Sequence, residues 1–391
     1  MSSSNYKSTV YFDNAATTFP KPQSVIMSAL DCMERYCGNP GRGSHTLAMI
    51  SSEKVFEARE AVADMFGARS DRVIFTLNTT YALNMAIKGV MKGGGHAIIS
   101  NLEHNSVLRP MHELARDKSV SYSVFTAYTK GKKLSSKEIL DNIISKLRRD
   151  TKMLVCIHSS NICSFTLPLR DIGQLCRRHG ITFVVDAAQS AGRIDINMER
   201  DMIDILCMPA HKGLYAPQGC GILGLGDKTP TSFPTLLEGG NGYSSLSPTM
   251  GNIFPERMEA GTICTPAIAG LVSGIGFIKN LGIETISEHE RHLWRRAFDR
   301  LTNIRGVSVY DDTEGSVLLF NIGNINADDA SYELSERGFC LRSGYHCAPL
   351  AHEALKTPDG GALRIGLGIF NTSEEVDLLC NAVADIAKYS K

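Results

Sequence analysis

From about residue 50 to residue 225 the chain alternates short apolar runs with amphipathic stretches. The apolar runs are Val73–Thr76, Ala97–Ser100, Met153–His158, Ile181–Asp186 and Asp204–Met208. They are too short for helices and have no polar alternation, so they read as strands buried on both faces. Between them lie Ser51–Phe66, with Val55, Ala58, Val62, Met65 and Phe66 on one side, then Tyr81–Val90, Lys137–Arg148 and Asp171–His179. Strands that alternate with helices in this way predict an α/β fold built on a mainly parallel, doubly wound sheet.

A chain of 391 residues is too long for one ordinary core, so two domains are expected. Residues 20–262 form the large one, and its last part, 229–262, is an irregular stretch rich in Gly, Pro, Ser and Thr. Long irregular segments inside compact proteins are usually functional. Helices at Pro266–Leu281, Glu284–Leu301 and Asp328–Arg337, with strands at Val307–Tyr310 and Ser316–Ile322, make residues 263–391 a smaller C-terminal α+β domain. The strip 1–19 can pack on either domain.

Basic and acidic residues balance at 41 each, which argues against a nucleic-acid groove or a polybasic membrane patch. Met1–Asn14 lacks a signal-type apolar core, and Ala267–Ile278 is shorter than the roughly 20 residues of a membrane-spanning helix. Eleven scattered cysteines without a CxxC pair fit a reducing, cytoplasmic setting. His346–Cys347 has no second pair at zinc spacing, so no metal is expected.

Polar residues follow nearly every strand. Thr79 and Thr80 come after the first, His104 after the second, Asn161 after the third, Asp186 and Gln189 after the fourth, and His211 and Lys212 after the fifth. In a doubly wound sheet the carboxyl ends of the strands share one crevice, where ligands bind. Asn78–Thr80 precedes a helix N-terminus, which favours phosphate. Asp186 suits a cationic partner such as a pyridinium, and His104 offers a ring for stacking. A buried Lys212 becomes a nucleophilic amine. Taken singly, the threonines are helix caps, Asp186 is an N-cap and Lys212 is a surface lysine. Together they describe a site for pyridoxal 5'-phosphate (PLP).

Asp186-Ala187-Ala188-Gln189 followed by Ala210-His211-Lys212-Gly213 resembles the class V aminotransferases, and within them the cysteine desulfurase and selenocysteine lyase type. The likeness runs from Tyr11-Phe12-Asp13-Asn14-Ala15-Ala16-Thr17-Thr18 and Gly41–Thr46 through Glu103-His104-Asn105 and Glu259-Ala260-Gly261-Thr262. It ends with Arg342–Ala348, Arg364 and Phe370-Asn371-Thr372. The resemblance implies a PLP-dependent transferase of fold type I and a homodimer acting on L-cysteine or L-selenocysteine. Lys212 would carry the cofactor, Asp186 would meet the ring nitrogen, and His104 would stack on the ring and take part in catalysis. Asn161 and Gln189 would lie near the ring hydroxyl. Thr79, Thr80 and His211 would hold the phosphate, joined by Thr262 of the neighbouring subunit. Arg364, with Asn161, would bind the substrate. Cys347, in the short-loop arrangement, would accept the sulfur and pass it to an acceptor protein.

Two positions depart from the pattern: Pro209 stands where relatives often have Ser, and Ile162-Cys163-Ser164 replaces a glycine-containing turn, bringing Cys163 toward the cofactor. Other class V activities, a β-lyase or an aminotransferase, share these features. The GxGxxG of Gly219–Gly224 suggests a nicotinamide enzyme, but it lacks the strand before and helix after that such a site requires. Its glycines are expected to serve close packing behind Lys212.

Overall fold

Two sheets organise the computed structural model, which describes residues 9–41, 43–116, 118–129, 132–243 and 245–389. In chain order the strands are β1 (Val10–Tyr11), β2 (Val73–Thr76), β3 (Gly95–Ser100), β4 (Val120–Phe125), β5 (Tyr128–Thr129), β6 (Lys132–Lys133), β7 (Thr151–Ile157), β8 (Thr182–Asp186), β9 (Ile205–Pro209), β10 (Gly221–Leu225), β11 (Val307–Val309), β12 (Val317–Ile322), β13 (Phe339–Cys340) and β14 (Leu363–Gly366). The larger sheet has seven of them in the order β2-β10-β9-β8-β7-β3-β4. Pairs β9–β8, β8–β7, β7–β3 and β3–β4 are parallel. Strand β10 is antiparallel to both neighbours, so β2 runs with the rest. The five expected strands are all present in this mainly parallel α/β sheet.

Two strands of that sheet escape the apolar-run reading for physical reasons. In β10 glycines interrupt the apolar pattern, and a Cβ on Gly221 would collide with Asn78. The GxGxxG stretch is therefore largely a strand itself and not a nucleotide-binding turn. Its glycines do serve close packing, against Asn78 and Met198. Strand β4 lies at the sheet edge and is half-buried along most of its length, which permits its serines.

Helices α1 (Gln23–Asp31), α2 (Thr46–Phe66), α3 (Thr79–Val90), α4 (Asn105–Arg116), α5 (Ser136–Ile144), α6 (Leu169–His179) and α7 (Thr265–Leu281) surround the larger sheet. Val55, Ala58, Val62 and Phe66 of α2 enter its core, while Met65 stays partly exposed. Ile268, Leu271, Ile275 and Ile278 of α7 enter the same core. Helix α8 (Ile283–Thr302) leaves α7 at 79°. No single helix among the described residues is long and apolar enough to cross a membrane. Residues 226–264 contain no helix or strand among those described.

The smaller sheet, β11-β12-β14, is antiparallel and packs with α8, α9 (Ala327–Glu336) and α11 (Ser373–Tyr389) around Trp294, Phe320, Ile365 and Leu379, and the short α10 (Pro349–Leu355) stands between β13 and β14 in the chain. Residues 1–8 of the N-terminal strip lie outside the described residues; residues 9–19 join both parts. Strand β1 pairs with β13, Phe12 is buried in the smaller core, and Thr17 and Thr18 bond to the turn at His211 and Lys212.

Candidate active site

Strand β3 is flanked by β4 on one side and β7 on the other, so the winding direction of the larger sheet changes between β3 and β7. That switch opens a crevice at the carboxyl ends. His104 follows β3, Asn161 follows β7, Asp186 ends β8, Lys212 follows β9, and α3 begins after β2. These side chains share the crevice edge because their strands are parallel.

Burial among like charges sets the proton affinities. Lys212 keeps part of its surface open, yet burial and then the Arg364 guanidinium lower its pKa to about 8, against the opposing pull of Asp186. Asp186 is buried, and burial raises its pKa to about 6, although the Ala188 N–H bonds its Oδ1 at 2.9 Å and Lys212 attracts it. Burial, with Lys212 and Arg364, lowers His104 to about 4, so the imidazole is neutral. The Ser106 N–H donates to His104 Nδ1 at 3.1 Å, which leaves the ring hydrogen on Nε2. Ser106 Oγ also lies 2.8 Å from that nitrogen and 2.7 Å from Thr80 Oγ1.

His211 follows the same rule: burial, Lys212 and Lys21 lower it to about 4, and its Nδ1 lies 3.0 Å from Thr17 Oγ1. Its carbonyl accepts from Lys21 Nζ at 2.7 Å and from the Thr17 and Thr18 hydroxyls. Asn78 Oδ1 caps α3 by accepting from the Tyr81 N–H. The exposed Thr80 and the buried Thr79 therefore occupy its first turn, where free N–H groups remain.

Arg364 is buried and crosses the site. Its Nη2 binds Asp13 Oδ1 at 2.9 Å, and its Nη1 donates to the Asn161 carbonyl at 3.2 Å. The other Asp13 oxygen takes Arg342 at 2.9 Å. Asn161 Nδ2 donates to the His346 carbonyl at 2.9 Å, and the Asn105 N–H donates to that of Cys347 at 2.7 Å. Cys347 is exposed and is one of the groups that act electrostatically on Arg364.

Among the described residues, four polar atoms around this crevice are buried without a hydrogen-bond partner: Thr79 Oγ1, Asn161 Oδ1, Gln189 Oε1 and Arg364 Nε. Gln189 is otherwise anchored through Nε2 to the Ala15 carbonyl at 2.9 Å. Such orphaned atoms are rare in native interiors and mark places for a polar ligand. Two acceptors, a hydroxyl, a guanidinium N–H, a carboxylate and an amine suit a phosphorylated hydroxypyridine aldehyde.

Other positions singled out by the sequence have their own surroundings. Thr262 is exposed and lines a cavity of about 1000 Å3 with Gly41, His45, Phe56, Arg59 and Glu259. Cys163 is fully buried; burial pushes its thiol up to about 12, with Asp311 adding to the effect. Pro209 closes β9 opposite Gly221, where its missing N–H costs little at a strand end. Sequence reasoning gave no role to Asp13, Lys21, Glu103 or Ser106. Only their inclusion in, or nearness to, the family-like motifs marked those stretches.

The chain belongs to the class V aminotransferase family, whose model matches residues 10–379; the family is PLP-dependent. A probable cysteine desulfurase of Methanothermobacter thermautotrophicus is 32% identical over 97% of this chain and 94% of its own length. A cysteine desulfurase of Salmonella agona is 29% identical over 94% and 91%. The apo structure of a cysteine desulfurase from Thermococcus onnurineus superposes with a TM-score of 0.87 at 28% identity, covering 97% of this chain and 95% of that one. The expected fold type is thereby confirmed.

Proposed function

We propose that the protein is a PLP-dependent cysteine desulfurase that converts L-cysteine to L-alanine and leaves the sulfur on Cys347 as a persulfide. The observation that carries this reading is the double role of Asn161. Its carbonyl holds Arg364 and its amide holds the His346 carbonyl next to Cys347, so a carboxylate clamp and an exposed thiol are tied to one residue.

PLP, when bound, acts as an electron sink that acidifies the substrate Cα–H. Lys212 is the residue to carry it, Asp186 the partner of its ring nitrogen, and His104 the stacking ring. Asn161 and Gln189 suit the ring hydroxyl, and Thr79, Thr80 and His211 suit the phosphate. Arg364 orients the substrate carboxylate through its free N–H groups. Lys212, with a pKa of about 8, has a neutral fraction able to take and return a proton at Nζ near neutral pH. The Cys347 thiolate attacks the substrate sulfur, forming S–S as Cβ–S breaks. The electron pair that leaves sulfur returns to the substrate carbon, which is protonated to give alanine, so atoms balance without an external oxidant.

A homodimer follows from Thr262. Its cavity wall includes Phe56, and Leu47, Met49, Met27, Leu30 and Met33 are also exposed on or beside α1 and α2, an apolar surface that a second copy would cover. Thr262 would then reach the neighbouring phosphate. An acceptor protein would collect the sulfur from the exposed Cys347, and the setting is a reducing cytoplasm, in keeping with the scattered free thiols.

The deciding experiment measures alanine and sulfide from L-cysteine, with L-selenocysteine and cystine alongside. Cys347→Ala should lose alanine formation from L-cysteine yet keep the cofactor absorbance. Full desulfuration by that variant refutes the sulfur-accepting role, and turnover of selenocysteine alone replaces the substrate.

A further inference from the structure

Cys347 sits in a turn held against local preference. His346 and Cys347 have φ of 48° and 56°, in the left-handed region that such side chains rarely adopt. Asn161 and Asn105 secure the two carbonyls from the larger sheet's side. A third fastening comes from the other side. His346 Nδ1 lies 3.2 Å from His352 Nε2, with the two buried rings nearly parallel at 11°. His352 Nδ1 lies 2.9 Å from Thr357 Oγ1, and His346 Nε2 lies 3.5 Å from the Arg342 carbonyl. The Tyr345 ring meets His352 edge-on at 5.4 Å, and its hydroxyl accepts from the Gly360 N–H at 3.1 Å.

Both imidazoles are neutral at working pH. Burial lowers His352 to about 4 and His346 to about 2, with Arg364 the next cause for each and His352 adding to the effect on His346, against the Arg342 carbonyl, whose hydrogen bond raises it. One proton arrangement then satisfies every nitrogen. The Arg342 carbonyl can only accept, so His346 Nε2 carries the hydrogen and Nδ1 accepts. His352 Nε2 must donate to that Nδ1, and His352 Nδ1 accepts from the Thr357 hydroxyl. The chain runs in one direction, from Thr357 through His352 and His346 to Arg342, and spans the turn that presents Cys347.

We propose that His352 is a positioning residue for Cys347: by donating to His346 it holds the 342–347 turn in its left-handed form and so presents the exposed thiol. The proposal deepens the reading of Cys347 as sulfur acceptor. Thiol reactivity is independent of that reading.

The two amide variants separate positioning from space filling. In His352→Gln the amide nitrogen replaces Nε2 and still donates to His346; in His352→Asn the shorter amide replaces Nδ1 and keeps only the Thr357 contact. Iodoacetamide alkylation of Cys347 in the holoenzyme, followed at pH 7 by peptide mass analysis, should proceed within about twofold of wild type in His352→Gln. It should slow about fivefold or more in His352→Asn and His352→Leu, because the turn no longer holds the thiol in its exposed position. Thr357→Val, which leaves both histidines in place, should slow it by a smaller factor and serves if a His352 variant fails to fold. Equal rates in the two amide variants, the reverse ranking, or an unchanged rate in Thr357→Val when the His352 variants do not fold overturns the proposal.

Discussion

Asp13 and Arg364, 351 positions apart in the chain, form a salt bridge of 2.9 Å with both side chains largely buried. Asp13 also binds Arg342, so one carboxylate from the N-terminal strip fixes two arginines near the other end of the chain. Asp13→Ala leaves a buried guanidinium without its counter-charge, at a cost of about 3 kcal/mol. The thermal midpoint should fall clearly, and KM for L-cysteine should rise more than kcat falls, because the carboxylate clamp loses its aim. Asp13→Asn keeps an acceptor and should lose less. Steady-state kinetics with calorimetry reads both; an unchanged KM in Asp13→Ala would detach Arg364 from substrate binding.

Lys212 carries a second prediction. A pKa of about 8 leaves roughly a tenth of the amine neutral at pH 7, against well under a thousandth for an ordinary lysine. Cofactor uptake by the stripped protein, followed near 420 nm, should rise between pH 7 and 9 and then level, instead of climbing through pH 10.5. Borohydride trapping should label Lys212 alone, and Lys212→Ala should take no label.

Glu103 is fully buried. Its Oε1 accepts from Ile157 N–H at 2.9 Å and from the Ser100 hydroxyl, and its Oε2 has no partner among the described residues. Burial raises its pKa to about 8, with a smaller push from Asp186. A carboxyl raised on folding favours the folded state while protonated. That contribution is complete below the unfolded pKa and declines as pH rises toward 8. Glu103→Gln does not titrate, so its thermal midpoint should gain on wild type between pH 5 and 8. A constant difference across that range would contradict a protonated Glu103.

Phe56, 53% exposed beside Thr262, tests the assembly. Wild type should sediment as a dimer, and Phe56→Asp should weaken it severalfold by placing a charge in an apolar contact. Cofactor retention should fall in parallel, since Thr262 would lose its neighbour. A monomeric wild type that holds PLP firmly would remove Thr262 from the site.

Much of this molecule was readable along the chain wherever the physics is local. Five buried strands announce themselves as short apolar runs because both their faces are dry, and the helix expected from Tyr81 with Thr79 and Thr80 as caps begins two residues earlier, at Thr79, because Asn78 is the residue that caps it. The polar residues at strand ends could be grouped in advance because parallel strands place their carboxyl ends on one edge. Strand β10 and helix α4 hid for equally local reasons: glycines dilute the first, and Pro110 lies inside the second.

What the chain alone determined is the edge on which the chemistry gathers and the residue types that gather there. The tertiary structure decided how they act. It brought Asp13 to Arg364, set Asn161 between Arg364 and the Cys347 turn, and stacked His352 on His346. It also lowered Lys212 and raised Asp186 by burying them together. The physical reason is one of range: hydrophobic periodicity and capping act over a few residues, whereas desolvation and ion pairing depend on neighbours that only folding supplies.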